Sequence, residues 1–220
     1  MDALLRADFW HTLTRLGEAQ ILLPAFGAFS AWTAARLKAV RSAVAALLAV
    51  GAAGSLTLAT KVAFFGYGIG WPALDFTGLS GHAMFSAAVL PLLLARCVGP
   101  QGRPLAVATG VALAALIGVS RLAVNAHSMS EVLSGLAVGG GAAAVALHWQ
   151  NREPASARVP RLLLAGLLAW MAITPAAAPP SPTHGWVVRL SLAVSGRDVP
   201  YSREQMHRDA AARAAAVDAP

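Results

Sequence analysis

The chain has 220 residues, 57% of them hydrophobic and 12% charged, with a formal net charge of +7. An ordinary soluble domain is about 25% charged, so this composition leaves too little polar surface to clothe a soluble globule of this size. A nucleic-acid partner is excluded as well, because the bases are scattered over short loops and a tail rather than gathered with aromatics into one groove.

Residues 1–18 form a mixed-charge N-terminal segment. It lacks the basic start and small-residue cleavage site of a secretory signal. Uncharged windows follow, and a spanning helix needs roughly 20 mostly apolar residues. They enclose 17 residues between Glu18 and Arg36, 19 between Arg41 and Lys61, and 20 between Asp75 and Arg96. Three more enclose 17 between Arg103 and Arg121, 20 between Glu131 and Arg152, and 27 between Arg161 and Arg189. The first window contains Pro24, and the second half of the last is proline-rich. Barrel strands are short and alternate apolar with polar residues. These windows are rich in Ala, Leu, Val and Gly throughout, and small residues let helices approach closely in lipid. The expected fold is therefore all-α, a polytopic membrane bundle of about six transmembrane helices occupying residues 19–178.

The second loop holds the run FFGYGIGW, from Phe64 to Trp71. Glycine allows unusual backbone and aromatics favour the membrane interface, so the segment reads as packing at the bundle mouth or as the lining of a lipid entrance. Cys97, the single cysteine, excludes an intramolecular disulfide and reads as a small apolar filler. The run AAAPPSP ends the sixth span, since proline cannot continue a helix. In the C-terminal tail, 179–220, Val187, Leu190 and Val194 make a weak helical stripe, either an interfacial helix or a loosely ordered segment. Residues 204–217 suggest a short Ala- and Arg-rich helix without assigned chemistry.

Lys and Arg mark cytoplasmic loops. Loops one, three and five carry eight bases: Arg36, Lys38, Arg41, Arg96, Arg103, Arg152, Arg158 and Arg161. Loops two and four hold Lys61 and Arg121, with Asp75 and Glu131 nearby. The odd loops are thus expected in the cytoplasm, and loops two and four with both termini outside.

Ionisable groups in or near spans are functional candidates, and here they converge. Lys61 ends the second span, Ser80, Gly81 and His82 open the third, Ser120 and Arg121 end the fourth, and His127 and Glu131 open the fifth. In antiparallel spans all of these fall at one face, the outer one. Arginine suits phosphate oxygens, and the free N–H groups where a helix begins favour an anion. Of two imidazoles, one can attack phosphorus while the other protonates the leaving oxygen. Glu131, four residues after His127, shares its helical face and can orient the ring. Neither a metal nor another cofactor is needed, because cationic side chains supply the electrostatics. Lys61 and Arg121 would repel a metal, and no close His/Cys ligand spacing exists.

Two stretches carry a family resemblance: Leu79-Ser80-Gly81-His82, and Ser120-Arg121, five residues, His127, three residues, Glu131, with 37 residues between His82 and Ser120. They resemble the second and third motifs of the type 2 phosphatidic acid phosphatase family, Pro-Ser-Gly-His and Ser-Arg-x5-His-x3-Asp. That family also embraces bacterial lipid phosphatases and vanadium haloperoxidases. The resemblance covers about residues 61–131. It implies that His127 is the nucleophile forming a phosphohistidine, that His82 is the general acid, and that Glu131 orients His127. Lys61, Ser80, Gly81 and Arg121 would hold phosphate. The chain departs from the pattern with Leu79 for Pro and Glu131 for Asp. The family's first motif, Lys-x6-Arg-Pro, meets only Gly68-Ile69 after Lys61. One phosphate-binding arginine is therefore missing or comes from elsewhere.

The implied protein is a multi-pass phosphatase of the bacterial inner membrane. It acts on a lipid phosphate at the periplasmic face and meets membrane lipids but no nucleic acid. Two alternatives stand beside it. Gly78-Leu79-Ser80-Gly81 with His127 two spans later fits a rhomboid-like serine protease, and the incomplete first motif fits a non-catalytic membrane protein retaining the fold.

Overall fold

The computed structural model describes residues 2–152, 165–166, 169–170, 173–174, 179 and 181–217, with side chains from Phe9 onward. The described residues are helical, in the order α1 (Asp2–Arg15), α2 (Ala19–Leu37), α3 (Val40–Tyr67), α4 (Gly81–Cys97), α5 (Arg103–Ala123), α6 (Met129–Gln150), α7 (Thr183–Ser195) and α8 (Arg203–Val217). One isolated bridge pairs Trp71 with Phe76 in the loop before α4.

Five of the six predicted spans correspond to α2 through α6. By length and composition, Val40–Tyr67, Pro100–Ala123 and Met129–Gln150 can cross a membrane. Gly81–Cys97 is apolar but shorter. The sixth predicted span lies largely outside the described residues. Within it, Trp170 donates from Nε1 to the Ile21 carbonyl at 3.2 Å. The outer faces of α3, α5 and α6 expose Leu48, Leu56, Leu105, Val111 and Leu133. Helices satisfy their own backbone, so such apolar faces suit contact with lipid.

The core sits around α4, which packs against α2, α3, α5 and α6. Phe26 and Phe29 of α2, Val50 of α3, Met84, Ala88 and Leu92 of α4, Ile117 of α5 and Ala146 of α6 form one buried cluster. Glycines set the distances. An added Cβ on Gly110 of α5 would lie 2.6 Å from the Pro91 backbone, and one on Gly139 of α6 would lie 2.1 Å from the Met84 carbonyl. Dispersion attraction and backbone approach drive helix association in lipid, so these glycines seat α5 and α6 on α4. Overpacking costs about 1–3 kcal/mol. Gly139→Ala should lower the thermal midpoint in detergent, while Gly141→Ala, with nothing within 4 Å of its added Cβ, should leave it unchanged.

Gly135 and Gly139 meet Ser80 and Met84 in matching order along α6 and α4, so these helices run parallel. The C-terminal ends of α3 and α5 therefore lie with the N-terminal ends of α4 and α6. The N-terminus of α4 starts below the surface: Leu79 and Ser80 are buried, and Leu79 N–H donates to Thr60 Oγ1 of α3 at 3.1 Å. Gly78 before it has φ +134°, and a Cβ there would come within 3.3 Å of the Lys61 backbone nitrogen.

The tail is ordered by contact with the bundle. α7 lies along α3, where a Cβ on Gly66 would sit 3.0 Å from the Ser191 carbonyl. Tyr201 N–H donates to the Phe65 carbonyl at 2.9 Å, and its ring meets Phe64 edge-on at 5.6 Å. Much of the FFGYGIGW run is thus helix rather than loop. α3 continues to Tyr67, with Gly68 as its left-handed cap.

Candidate active site

A cavity of about 530 Å³ opens at the end of the bundle where α3, α4, α5 and α6 bring their polar residues together. Its lining includes Lys61, Thr77, Gly81, His82, Arg121 and His127 together with the apolar Leu23, Leu58, Phe65, Phe85 and Val187. The volume falls within the usual range for small-molecule sites, about 300–1,000 Å³.

Each polar residue reaches the cavity for a local reason. Arg121 stands in the last turn of α5, where a cation complements the helix dipole, and Lys61 lies on α3 ahead of its last turn. Gly81 and His82 occupy the first turn of α4, whose backbone N–H groups have no intrahelical partner. His127 lies in the short turn between α5 and α6. Ser128 caps α6, and Glu131 completes a capping box with it. That box costs no extra element: the same carboxylate that caps the helix serves the histidine.

Glu131 is fully buried and is the hub of the site. Its Oε2 meets His127 Nδ1 at 2.7 Å and accepts from Ser128 N–H at 3.1 Å. Its Oε1 accepts from Thr77 N–H at 2.7 Å, Thr77 Oγ1 at 2.5 Å and Arg203 Nη2 at 2.8 Å. Its backbone carbonyl accepts from Ser80 N–H at 3.0 Å, which ties α6 to the start of α4. An imidazole whose Nδ1–H donates to a carboxylate leaves the Nε2 lone pair free. Burial pulls the His127 imidazole below its ordinary value of 6.5; the hydrogen bond to Glu131 opposes this, and Lys61 and Arg121 reinforce it. His82 lies within electrostatic reach of Arg121, His127 and Lys61.

Arg121 bonds Thr14 Oγ1 of α1 through Nη1 at 2.7 Å. Its Nε and the buried Ser80 Oγ have no hydrogen-bond partner among the described residues. Ser80 does not line the cavity, and among the described residues no hydrogen bond joins its hydroxyl to His127. That arrangement does not make the serine–histidine pair a protease would use.

Three residues were not singled out from sequence. Arg203 of α8 reaches Glu131 and forks to Asp75, donating to its carbonyl at 2.7 Å and to its carboxylate. His207 Nε2 meets Asp75 Oδ1 at 2.7 Å, so neither this histidine nor Asp75 is without a partner. His184 lines the cavity and packs edge-on against Phe65. No local signal marks these contacts, because 72 residues separate Arg203 from Glu131 and 132 separate His207 from Asp75.

Residues 42–155 match the family model described as the PAP2 superfamily. The chain is also 34% identical over 206 residues to a Klebsiella pneumoniae protein described as "Uncharacterized 22.5 kDa protein in cps region". That alignment covers 91% of this chain and 99% of the relative. No solved structure matches the chain significantly.

Proposed function

Because the chain belongs to the PAP2 superfamily, which includes phosphatases, we propose that it hydrolyses a lipid phosphate without a metal, through a phosphohistidine at His127. The observation that carries the lipid reading is the mixed polar and apolar lining of the cavity. Five cationic or imidazole side chains, Lys61, His82, Arg121, His127 and His184, share the cavity with aliphatic and aromatic residues, which suits a phosphate head joined to an apolar tail.

His127 Nε2 attacks phosphorus, and the bond to the lipid oxygen breaks. His82 gives its proton to that oxygen, so the lipid leaves as an alcohol. A water then attacks the phosphohistidine, passing a proton to His82, and inorganic phosphate departs with His127 restored. Arg121 and Lys61 neutralise the phosphate oxygens, where fixed charges in a dry site act strongly. Arg121 Nε and the first-turn N–H groups of α4 supply donors that the fold leaves unused. Glu131 fixes the His127 ring and stabilises its charged form as the phosphoramidate builds.

Arg36, Lys38, Arg41, Arg96 and Arg103 lie at the opposite end of the bundle from this cavity, which under the positive-inside rule supports a site on the outer face of a bacterial inner membrane. Purified protein in detergent should release inorganic phosphate from phosphatidic acid or a polyprenyl diphosphate with chelator present, and orthovanadate should inhibit it. Activity that disappears with chelator and returns only with added divalent metal would overturn the metal-independent mechanism.

A further inference from the structure

We propose that Arg203 of the C-terminal helix is a positioning residue for the reaction, holding Glu131 so that its other oxygen fixes His127. The inference rests on His127 acting as the nucleophile. What carries it is the division of labour at Glu131. Oε2 faces His127 and Ser128, while Oε1 faces Thr77 and the Arg203 guanidinium. Both side chains of this ion pair hold still for separate reasons. Glu131 is fully buried, and Arg203 is clamped by the Asp75 carbonyl and carboxylate. Asp75 is in turn held by His207, one turn further along α8.

The arrangement also gives a reason for glutamate at 131. A carboxylate one methylene shorter, on the same helix position, would be drawn back from either His127 or the Arg203–Thr77 side. The longer side chain spans both.

The second consequence is electrostatic. His127 faces Lys61 from α3, His82 from α4, Arg121 from α5 and Glu131 from α6. Glu131 is the anion among them, and Arg203 offsets its charge. Without Arg203 the carboxylate would hold a proton on His127 more tightly, and the neutral imidazole needed for attack would appear only at higher pH.

Four proteins test this: the full chain, Arg203→Ala, Arg203→Lys and Asp75→Asn. Asp75 has φ +49°, a conformation asparagine tolerates, so Asp75→Asn loosens Arg203 with little risk to the fold. Phosphate release is followed against pH, and His127 is titrated by histidine side-chain NMR with His127→Gln to assign its signal. Arg203→Ala should lower kcat about 10- to 100-fold with little change in KM, as loss of positioning does. The acid limb and the His127 titration should both move up by about one pH unit. Arg203→Lys should recover part of the loss, and Asp75→Asn should shift both quantities in the same direction by less.

An unchanged His127 titration in Arg203→Ala and Asp75→Asn overturns the assignment, whatever happens to turnover. So does a loss of kcat that lysine rescues no better than alanine. A His127 titration that moves as expected in a chain releasing no phosphate from any ester supports the coupling and locates the failure in the functional reading. The NMR arm needs no substrate, so the two failures are distinguishable.

Discussion

Replacing His127 with glutamine should reduce kcat/KM by at least about 10⁴-fold, leaving only what substrate binding and the surrounding charges provide. Glutamine keeps a polar side chain in the turn between α5 and α6, but its amide cannot attack phosphorus. The loss should come without loss of fold, because among the described residues the His127 side chain bonds a carboxylate that keeps Thr77, Ser128 and Arg203 as partners. Thermal denaturation in detergent checks that separation. Brief mixing of the parent chain with 32P-labelled substrate should trap an acid-labile, base-stable phosphoprotein that is missing from His127→Gln. A variant retaining more than a few per cent of activity would remove His127 from the mechanism. The pH profile follows from the same residue. Attack requires the neutral imidazole, and burial lowers the proton affinity of His127 below its ordinary 6.5. The acid limb of kcat/KM, which reports the free enzyme, should therefore lie below pH 6.5.

His82→Asn should divide substrates by their leaving groups. General acid catalysis contributes about 10²–10⁴-fold where the departing oxygen needs a proton. A lipid phosphate, leaving as an alkoxide, should lose that much. An activated aryl phosphate leaves as a stable phenolate and should lose about tenfold or less on the same grounds. His82 lies in the first turn of α4 and lines the same cavity as His127, Lys61 and Arg121. Equal losses on both substrate classes would give His82 a binding role instead of proton transfer.

The two predictions rest on residues legible in the sequence for different reasons. His127 and Glu131 are four apart at the start of a helix, and α-helical geometry alone puts them on one face. Their 2.7 Å contact is local. The meeting of Lys61, His82, Arg121 and His127 at one end of the bundle was also legible, because uncharged windows of spanning length force successive helices to alternate direction. Chain order plus alternation then decides which helix ends share a face. The FFGYGIGW run misled on local structure: three glycines in eight residues suggest a loop, yet α3 continues through Gly66, since contact with α7 and with Tyr201 outweighs the modest helix cost of one glycine.

By itself, the sequence determined that the protein is helical and apolar and that Lys61, His82, Arg121 and His127 meet at one bundle end. Composition, window length and short-range spacing act locally, so they can be read along the chain. Only the tertiary structure decided that the C-terminal helix returns to the site, that Arg203 takes the outer oxygen of Glu131, and that Asp75 and His207 hold Arg203 there. These contacts join residues 72 to 132 positions apart. Nothing in the local pattern of an Ala- and Arg-rich helix distinguishes an arginine that faces solvent from one that meets a buried carboxylate. The path of the chain over the bundle makes that choice, and a lone buried carboxylate is costly enough that the choice matters.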